Sequence, residues 1–303
     1  MVKNAYIGIP KTLNFYLDKF NFPKVMEKLG YNIIYSDSID TTNFDRGFRL
    51  TVSEQCLPVK LFYSHLDVIR EKKPDYIFIP QFASLKKDTH CCPAIINLPL
   101  LAQTTIKDLP DLLTITIDYN RPLTTYFNFF RFTWQLTQKP HEVIATFHYF
   151  VKVFNSKINR TISKRRKKSK GAKIGIAGHK YALNDPVLNM GLMDKIHKYG
   201  YSHITSEVAC QELKGIDGDE FGCRALHWDF GREIVSVIQR WLTEDGIVGI
   251  IFITFFGCGI DAFIQEVFKN EASKTKPYLC LSIDEHSSEI GYLTRIEAFL
   301  DMI

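Results

Sequence analysis

Three cysteines stand where the sequence predicts the start of a helix. Cys56 is followed after one residue by a proline, Cys92 is followed directly by a proline, and Cys258 lies between two glycines after a strongly apolar stretch. Proline is favoured in the first turn of a helix, because the N–H that it lacks has no partner there. The positive end of a helix stabilises a thiolate, the form of cysteine that binds iron or attacks an electrophile. The three cysteines are therefore candidate metal ligands or nucleophiles.

Gly257 and Gly259, on either side of Cys258, favour the metal-binding interpretation. Glycine lets the backbone approach a bulky inorganic group and point its N–H groups at sulfide. The intervals of 36 residues from Cys56 to Cys92 and 166 residues from Cys92 to Cys258 match no short zinc or ferredoxin signature. Many cysteines are simply small buried apolar residues. The residue types alone leave both interpretations open.

The remaining four of the seven cysteines are predicted to be structural. Cys280 lies in the middle of a predicted strand, and Cys210 and Cys223 lie in a region without clear periodicity. Cys91 is directly beside Cys92, and adjacent residues seldom ligate one metal, so we expect Cys91 to face the core. An odd number of cysteines in a chain that we expect not to be exported makes disulfides a poor explanation.

The elements that must position these cysteines alternate between strand and helix. Short runs of β-branched and aromatic residues are bounded by turn residues, and between them apolar residues recur at helical spacing. This alternation predicts a mostly parallel sheet with helices on both faces. The predicted strands are Tyr6–Ile9, Asn32–Tyr35, Tyr76–Pro80 and Leu112–Ile117, and the predicted helices are Thr12–Leu29 and Leu57–Lys72.

Residues 122–171 contain two long aromatic-rich helical stretches, Leu123–Gln138 and Glu142–Ser163, after which the alternation restarts. We therefore predict an α/β fold in which two Rossmann-like parallel-sheet domains, residues 1–121 and 172–303, face a cleft and are joined by a helical connector. Ligands of such sheets bind outside the carboxyl ends of the strands. The predicted elements of the second domain are the strands Lys173–Ala177, His203–Ser206, Val248–Phe256 and Tyr278–Ile283 and the helices Val187–Lys198, His227–Leu242, Gly259–Ala272 and Ile290–Ile303.

The composition is that of a soluble globular protein, with 46% hydrophobic and 23% charged residues in a chain of 303. No apolar run reaches the roughly 18 residues that span a bilayer, and the N-terminus lacks an apolar segment that ends in a cleavage site. We therefore expect a cytoplasmic protein that does not enter a membrane.

The net charge of +5 comes from Lys164–Lys170, where six of seven residues are basic. No aromatic residues are interleaved with this run, so it indicates a solvated linker or helix end rather than a nucleic-acid site. Contact with the phosphates of a nucleotide or of CoA stays open as an alternative.

Several motifs resemble, in their order and spacing, a family related to the 2-hydroxyacyl-CoA dehydratases. Members of that family occur as separate proteins or fused behind the ATP-dependent activase of those enzymes. The resemblance extends over nearly the whole chain. Its motifs are Ile7–Tyr16, Glu54–Lys60, Asp75–Pro80, Cys92-Pro93, Asp229–Glu233, Phe256–Asp261, Ile283–Gly291 and Thr294–Phe299.

The resemblance implies two Rossmann-like domains that hold an iron–sulfur cluster through Cys56, Cys92 and Cys258. In the dehydratases a [4Fe-4S] cluster receives one electron from the ATP-driven activase and reduces a CoA thioester, and some relatives hold a double-cubane [8Fe-9S] cluster. This sequence has no Gly-x-x-x-x-Gly-Lys-Ser/Thr loop, so ATP hydrolysis must come from the activase as a partner. The resemblance thus implies an acyl-CoA substrate and either a dehydratase-like lyase or a low-potential reductase component, and it leaves the activity of a separate protein open.

Three further residues receive roles from this resemblance. Lys60, one turn into the helix after Cys56, would place a positive charge against an anionic cluster, and the alternative is an ordinary surface lysine. Glu285 and His286 follow the last predicted strand and are the candidate catalytic groups. His286 would transfer protons or hydrogen-bond cluster sulfide, and the alternative is a structural histidine in a turn.

Two rival hypotheses belong to other classes. One is a regulatory or scaffold module that binds the activase or a CoA ligand without redox turnover. The other is a zinc site formed by the same cysteines with His90. Each hypothesis is compatible with a homodimer or with a heterodimer with a related subunit, and none includes a nucleic-acid partner.

Overall fold

The structure is a computed structural model that describes residues 4–13, 17–37, 39, 41–156, 172–212, 226–269 and 275–303. None of the helices in these ranges combines the length and the apolar character that a membrane span requires. The chain forms two compact units, one comprising Met1–Gln55 and Val59–Asn159 and the other comprising Cys56–Pro58 and Arg160–Ile303. Each unit has a parallel four-stranded sheet, which confirms the predicted α/β class.

The sheet of the first unit is formed by short runs of β-branched and aromatic residues, the types that pack well on a pleated surface. Its strands are β1 (Tyr6–Ile9), β2 (Asn32–Tyr35), β3 (Tyr76–Phe78) and β5 (Asp111–Leu113), and a separate parallel pair consists of β4 (Gln81–Phe82) and β6 (Thr116–Ile117). The order across the main sheet is β2-β1-β3-β5. All of its neighbouring strands are parallel.

The helices of the first unit begin where the sequence places proline. Six of them have proline at the first or second position, where its missing N–H costs no hydrogen bond. The helices are α1 (Leu17–Phe20), α2 (Phe22–Lys28), α3 (Thr41–Leu50), α4 (Leu57–Glu71), α5 (Pro93–Ile96), α6 (Leu98–Thr105), α7 (Pro122–Leu136) and α8 (Pro140–Asn155).

The core of the first unit is aromatic. The ring centroid of Phe22 lies 5.1 Å from that of Phe78 in β3 and 5.1 Å from that of Phe150 in α8, and Phe129 of α7 stacks on Phe150 at 5.3 Å. The two helices of the predicted connector therefore belong to the core of the first unit. Residues 157–171, which include the whole basic run Lys164–Lys170, lie outside the described residues, so the domain boundaries stay a prediction.

The second unit repeats the alternation of strand and helix. Its most apolar strand is buried along almost its whole length, as the run of isoleucine and phenylalanine predicts. The strands are β7 (Lys173–Ala177), β8 (Ser202–Thr205), β9 (Ile247–Phe255) and β10 (Tyr278–Ile283), and the helices are α9 (Lys180–Asn184), α10 (Leu192–Lys198), α11 (Ser206–Glu212), α12 (Asp229–Thr243), α13 (Gly259–Lys269) and α14 (Glu289–Leu300).

The two sheets have the same strand order. The second sheet runs β10-β9-β7-β8 and is parallel throughout. In each sheet the first strand therefore lies between the second and the third, and the fourth strand lies at the far edge beside the third. The chain crosses from one side of the first strand to the other between the second and third strands, and ligands of α/β sheets bind at such a switch point. In the second unit it lies between the carboxyl ends of β7 and β9.

Local differences from the sequence prediction have identifiable causes. The predicted helix Thr12–Leu29 is two helices, because Asn21 between α1 and α2 has a left-handed φ of 48°. The predicted strand Leu112–Ile117 is divided into β5 and β6, which pair with different strands. The predicted helix Val187–Lys198 begins only at Leu192, after Gly191 with a φ of 67°.

Candidate functional site

A group of metal-ligating side chains lies at the switch point of the second unit. His179 is the second residue after β7, Cys258 is the third residue after β9, and Asp261 lies in the first turn of α13. A ring nitrogen of His179, Sγ of Cys258 and a carboxylate oxygen of Asp261 lie within 4.8 Å of one another. The sheet thus brings together residues that are about 80 positions apart in the sequence.

The imidazole of His179 is paired with the carboxylate of Asp261. Nε2 of His179 lies 2.8 Å from Oδ1 of Asp261, and the two residues are only 2% and 1% exposed. Oδ2 of Asp261 accepts a hydrogen bond of 3.1 Å from the backbone N–H of Phe255, at the end of β9. Because a carboxylate oxygen is an acceptor, the ring hydrogen of the neutral imidazole lies on Nε2. The lone pair is then on Nδ1.

Nδ1 of His179 is buried and has no hydrogen-bond partner among the residues that the structure describes. The ring stacks on Tyr181, with centroids 4.9 Å apart and planes 6° apart, and meets the edge of Phe230 at 5.4 Å. Aromatic contacts on two sides fix the orientation of the ring. Buried polar atoms without a partner are uncommon and cost free energy, so this atom is suited to a group that accepts an electron pair.

Cys258 is held at the N-terminus of α13. Its N–H donates to the carbonyl of Phe255 at 3.0 Å, and its own carbonyl accepts from the N–H of Ala262 at 3.0 Å. Gly257 has a φ of +79°, a conformation that favours glycine. Apart from its two chain neighbours and the nearby backbone of its own helix, no described residue has an atom within 4 Å of the position that a Cβ would take at Gly259. The turn thus leaves open space beside Gly259, next to the half-buried Cys258.

The other cysteines are thiols rather than disulfides wherever the structure describes their side chains. Cys56 is half-buried immediately before α4, and Cys92 is half-buried at the N-cap of α5. Cys91 is 1% exposed and belongs to the aromatic core of the first unit, which confirms its predicted orientation. The group around Cys258 includes neither Cys56 nor Cys92, so ligation by all three stays a prediction.

The two cysteines predicted as structural in the unclear region are described only in part. Cys210 lies in α11, and Cys223 lies outside the described residues. Cys280 is half-buried in β10, with its Sγ 3.6 Å from Oγ1 of Thr254. Burial raises the pKa of the Cys280 thiol, so this residue has the character of a core thiol.

Lys60 is not a surface lysine. It lies in the first turn of α4 and is 3% exposed. Its Nζ lies 5.5 Å from the centroid of the Phe48 ring, which is the geometry of a cation–π contact. The buried position excludes the surface alternative, and a role toward a cluster stays a prediction.

Glu285 and His286 lie in a turn after β10. Oδ1 of Asp284 accepts hydrogen bonds of 2.9 Å from the N–H of His286 and from the hydroxyl of Ser287. The turn therefore owes its shape to Asp284, and His286 is exposed while Glu285 is half-buried. This arrangement neither brings the two residues into the group around Cys258 nor tests their catalytic role.

Sequence reasoning missed His179 and Asp261 as site residues. His179 follows a predicted strand directly after Gly178, and Asp261 is three positions after Cys258. Both signals were present, but neither position predicts a contact without the strand order. His179 and Asp261 meet only because β7 and β9 are neighbours.

No curated protein matches the sequence. The family model described as “CoA enzyme activase uncharacterised domain (DUF2229)” matches residues 6–208, a range that includes Cys56, Cys92 and His179 and ends before Cys258. This match covers more than half of the chain. The chain therefore belongs to this family of CoA enzyme activase domains.

Proposed function

We propose that this protein acts with a CoA enzyme and its ATP-hydrolysing activase, and that it holds an iron–sulfur cluster with Cys56, Cys92 and Cys258 as ligands. The observation that carries the proposal is the position of Cys258. It lies at the switch point of a parallel sheet, at a helix N-terminus and beside a buried imidazole whose Nδ1 has no hydrogen-bond partner among the described residues. Membership of the activase-related family supports the same function.

The residues present fit an iron–sulfur group. Thiolates are the ligands that such clusters take, and backbone N–H groups near the sulfur atoms tune them. Gly257 provides a left-handed turn and Gly259 provides open space beside its own Cα, on the two sides of Cys258. Cys56 and Cys92 each precede a helix, as Cys258 does. The same local arrangement thus recurs at all three proposed ligands.

When bound, the cluster would supply one-electron chemistry at low potential. One electron would leave the reduced activase, which is thereby oxidised, and would pass through this protein to a CoA thioester. Each 59 mV of a one-electron step corresponds to about 1.4 kcal/mol, so ATP hydrolysis on the activase can drive a step of a few hundred millivolts. The given sequence has no phosphate-binding loop of this type, and the proposal assigns ATP hydrolysis to the activase.

One observation favours a second candidate function. In the part of the chain that the structure describes, the group of potential ligands mixes histidine, cysteine and aspartate instead of gathering cysteines. Such a donor set also suits a single divalent ion such as Zn²⁺. A protein with that ion would be a regulatory or scaffold module rather than an electron carrier.

Anaerobic reconstitution of the full chain with Fe²⁺ and sulfide separates the two functions. We expect iron and acid-labile sulfide in stoichiometric amounts, with broad visible absorption. Cys56→Ser, Cys92→Ser and Cys258→Ser should each lose most of the iron, and Cys91→Ser and Cys280→Ser are the matched controls that keep it.

Electron transfer is tested on the reconstituted protein. Mixing with activase, ATP and a strong reductant should bleach the visible absorption, and omission of ATP should prevent the bleaching. Equal bleaching without activase or ATP contradicts the gated transfer. A wild-type protein that takes up zinc and no iron contradicts the cluster itself and supports the scaffold function.

A further inference from the structure

The imidazole of His179 has the hydrogen-bond arrangement that is typical of metal-ligating histidines. Ligating histidines almost always donate their other ring N–H to a carboxylate or a carbonyl, which fixes the tautomer and makes the ligating nitrogen more basic. The 2.8 Å contact between Nε2 of His179 and Oδ1 of Asp261 is that arrangement. It leaves Nδ1 as the nitrogen with an available lone pair.

A purely structural His–Asp pair does not explain this geometry. The hydrogen bond from His179 fixes Asp261, whose other carboxylate oxygen accepts from the N–H of Phe255. Another hydrogen-bond donor in place of His179 would fix Asp261 equally well. The pair leaves Nδ1 without a hydrogen-bond partner in the described part of the chain, in a residue that is only 2% exposed. Stability alone therefore gains nothing from a second ring nitrogen at this position.

The surroundings hold the ring in place. Tyr181 and Phe230 contact two sides of the imidazole. The preceding residue, Gly178, exchanges two hydrogen bonds with Ser206, since its N–H donates to Oγ at 3.2 Å and its carbonyl accepts from the hydroxyl at 3.1 Å. A ligand whose orientation is fixed before binding loses little entropy on binding a metal.

A thiol lies close to the imidazole. Sγ of Cys258 and a ring nitrogen of His179 lie within 4.8 Å of each other. Imidazole with thiolate suits a borderline-soft metal such as iron or zinc. We propose that His179 is the non-cysteine ligand of the metal centre at Cys258 and that Asp261 is its positioning residue. The identity of the metal in this inference rests on the proposed function. The assignment of His179 as a ligand rests only on contacts within the second unit.

The test uses the full chain in two samples, one produced in natural-abundance medium and one produced with ¹⁵N-labelled histidine. Both samples are reconstituted anaerobically with Fe²⁺ and sulfide. Pulsed EPR of the reduced centre should show a nitrogen coupling that changes with the label. His179→Gln keeps a donor for Asp261 and removes the ring lone pair, so it should abolish the coupling and speed iron loss to a chelator at least about 10-fold. Asp261→Asn should speed iron loss about 10- to 100-fold, the usual effect of an altered outer partner.

Two controls keep a folding defect apart from a ligand defect. His148→Gln makes the same substitution at an exposed histidine of α8 and should change neither the coupling nor the rate of iron loss. Thermal unfolding of the metal-free proteins should give similar curves for wild type and His179→Gln. Unchanged coupling and unchanged iron loss in His179→Gln, with iron and sulfide still bound, overturn the inference and leave the proposed function intact.

A titration with Co²⁺ identifies the opposite case, in which the proposed function is wrong but the assignment of His179 as a ligand is right. If wild type takes up no iron and sulfide but binds Co²⁺ with thiolate and imidazole signatures that His179→Gln and Cys258→Ser abolish, the proposed function is wrong and the ligand assignment stands. If wild type binds neither iron with sulfide nor Co²⁺, both the proposed function and the ligand assignment are wrong.

Discussion

Ser36 and Ser206 occupy equivalent places in the two units. Each directly follows the second strand of its sheet, and each hydroxyl oxygen accepts a backbone N–H from the loop after the first strand. Lys11 donates to Oγ of Ser36 at 2.8 Å, and Gly178 donates to Oγ of Ser206 at 3.2 Å. The loop at the switch point is therefore fixed in the same way twice. In the second unit this loop carries His179.

Ser206→Ala should destabilise the second unit by about 1–3 kcal/mol, because it leaves the N–H and C=O of buried Gly178 without a side-chain partner. Urea unfolding measures this loss. Ser202→Ala is the matched control on the neighbouring strand, where the hydroxyl donates to an exposed carbonyl, and it should change stability by less than about 0.5 kcal/mol. Equal losses in the two variants would contradict the role of Ser206.

Burial of His65 predicts a loss of stability in mild acid. The hydroxyl of Ser36 lies 2.8 Å from Nδ1 of His65, and because Ser36 already accepts from Lys11, its hydroxyl hydrogen is free to donate to the neutral ring. Burial lowers the pKa of His65 from 6.5 to about 4, with a smaller contribution from the charge of Lys11. Between these values the unfolded chain binds a proton that the folded chain does not. Stability is therefore complete above about pH 6.5 and falls as the pH drops toward 4.

His65→Gln removes this titration and keeps an acceptor for Ser36. From pH 7 to pH 4.5, wild type should lose about 2–3 kcal/mol more free energy of unfolding than the variant, since each pKa unit corresponds to about 1.4 kcal/mol. Urea unfolding at several pH values measures the difference, and carboxylates that titrate in both proteins cancel. Parallel pH profiles would mean that His65 has the same pKa in the folded and in the unfolded chain, which contradicts the prediction.

Cys280 should resist alkylation in the folded protein. Burial raises the pKa of its thiol, so the reactive thiolate is scarcer at neutral pH than for an ordinary cysteine. Mass spectrometry after brief treatment of the metal-free protein with iodoacetamide at pH 7.5 should find Cys280 unmodified, and modified once urea unfolds the chain. Rapid modification of Cys280 without urea would mean that β10 exposes the thiol.

The strands were predictable where local residue types decide them. Tyr6–Ile9, Asn32–Tyr35 and Tyr278–Ile283 have the predicted bounds, because β-branched and aromatic runs end at turn residues. Helix α3 was not predicted, and Gly47 explains why. Glycine is a poor helix former, but a Cβ at Gly47 would lie 2.0 Å from the backbone oxygen of Lys60. Packing against α4 requires glycine there, and no local pattern reveals this requirement.

The sequence predicts single residues of the site but not which residues lie next to one another. The two glycines and the preceding apolar run identify Cys258 at a strand-to-helix junction, because such a junction is formed by residues that are adjacent in the sequence. Its neighbours His179 and Asp261 depend on which strands are adjacent, and the sequence does not state that β7 lies beside β9 rather than beside β10.

The two glycines around Cys258 should respond differently to alanine. Gly257 has a left-handed φ of +79°, so Gly257→Ala should cost about 1–2 kcal/mol of stability. At Gly259 no described atom beyond its chain neighbours and the nearby backbone of its own helix lies within 4 Å of the new Cβ, so Gly259→Ala should leave the metal-free protein within about 0.5 kcal/mol of wild type. If a cluster fills that space, the methyl group should nevertheless reduce the iron retained after reconstitution with Fe²⁺ and sulfide. Urea unfolding without metal and iron analysis after reconstitution give the two readouts. Full iron retention in Gly259→Ala would mean that the inorganic group lies on another side of Cys258.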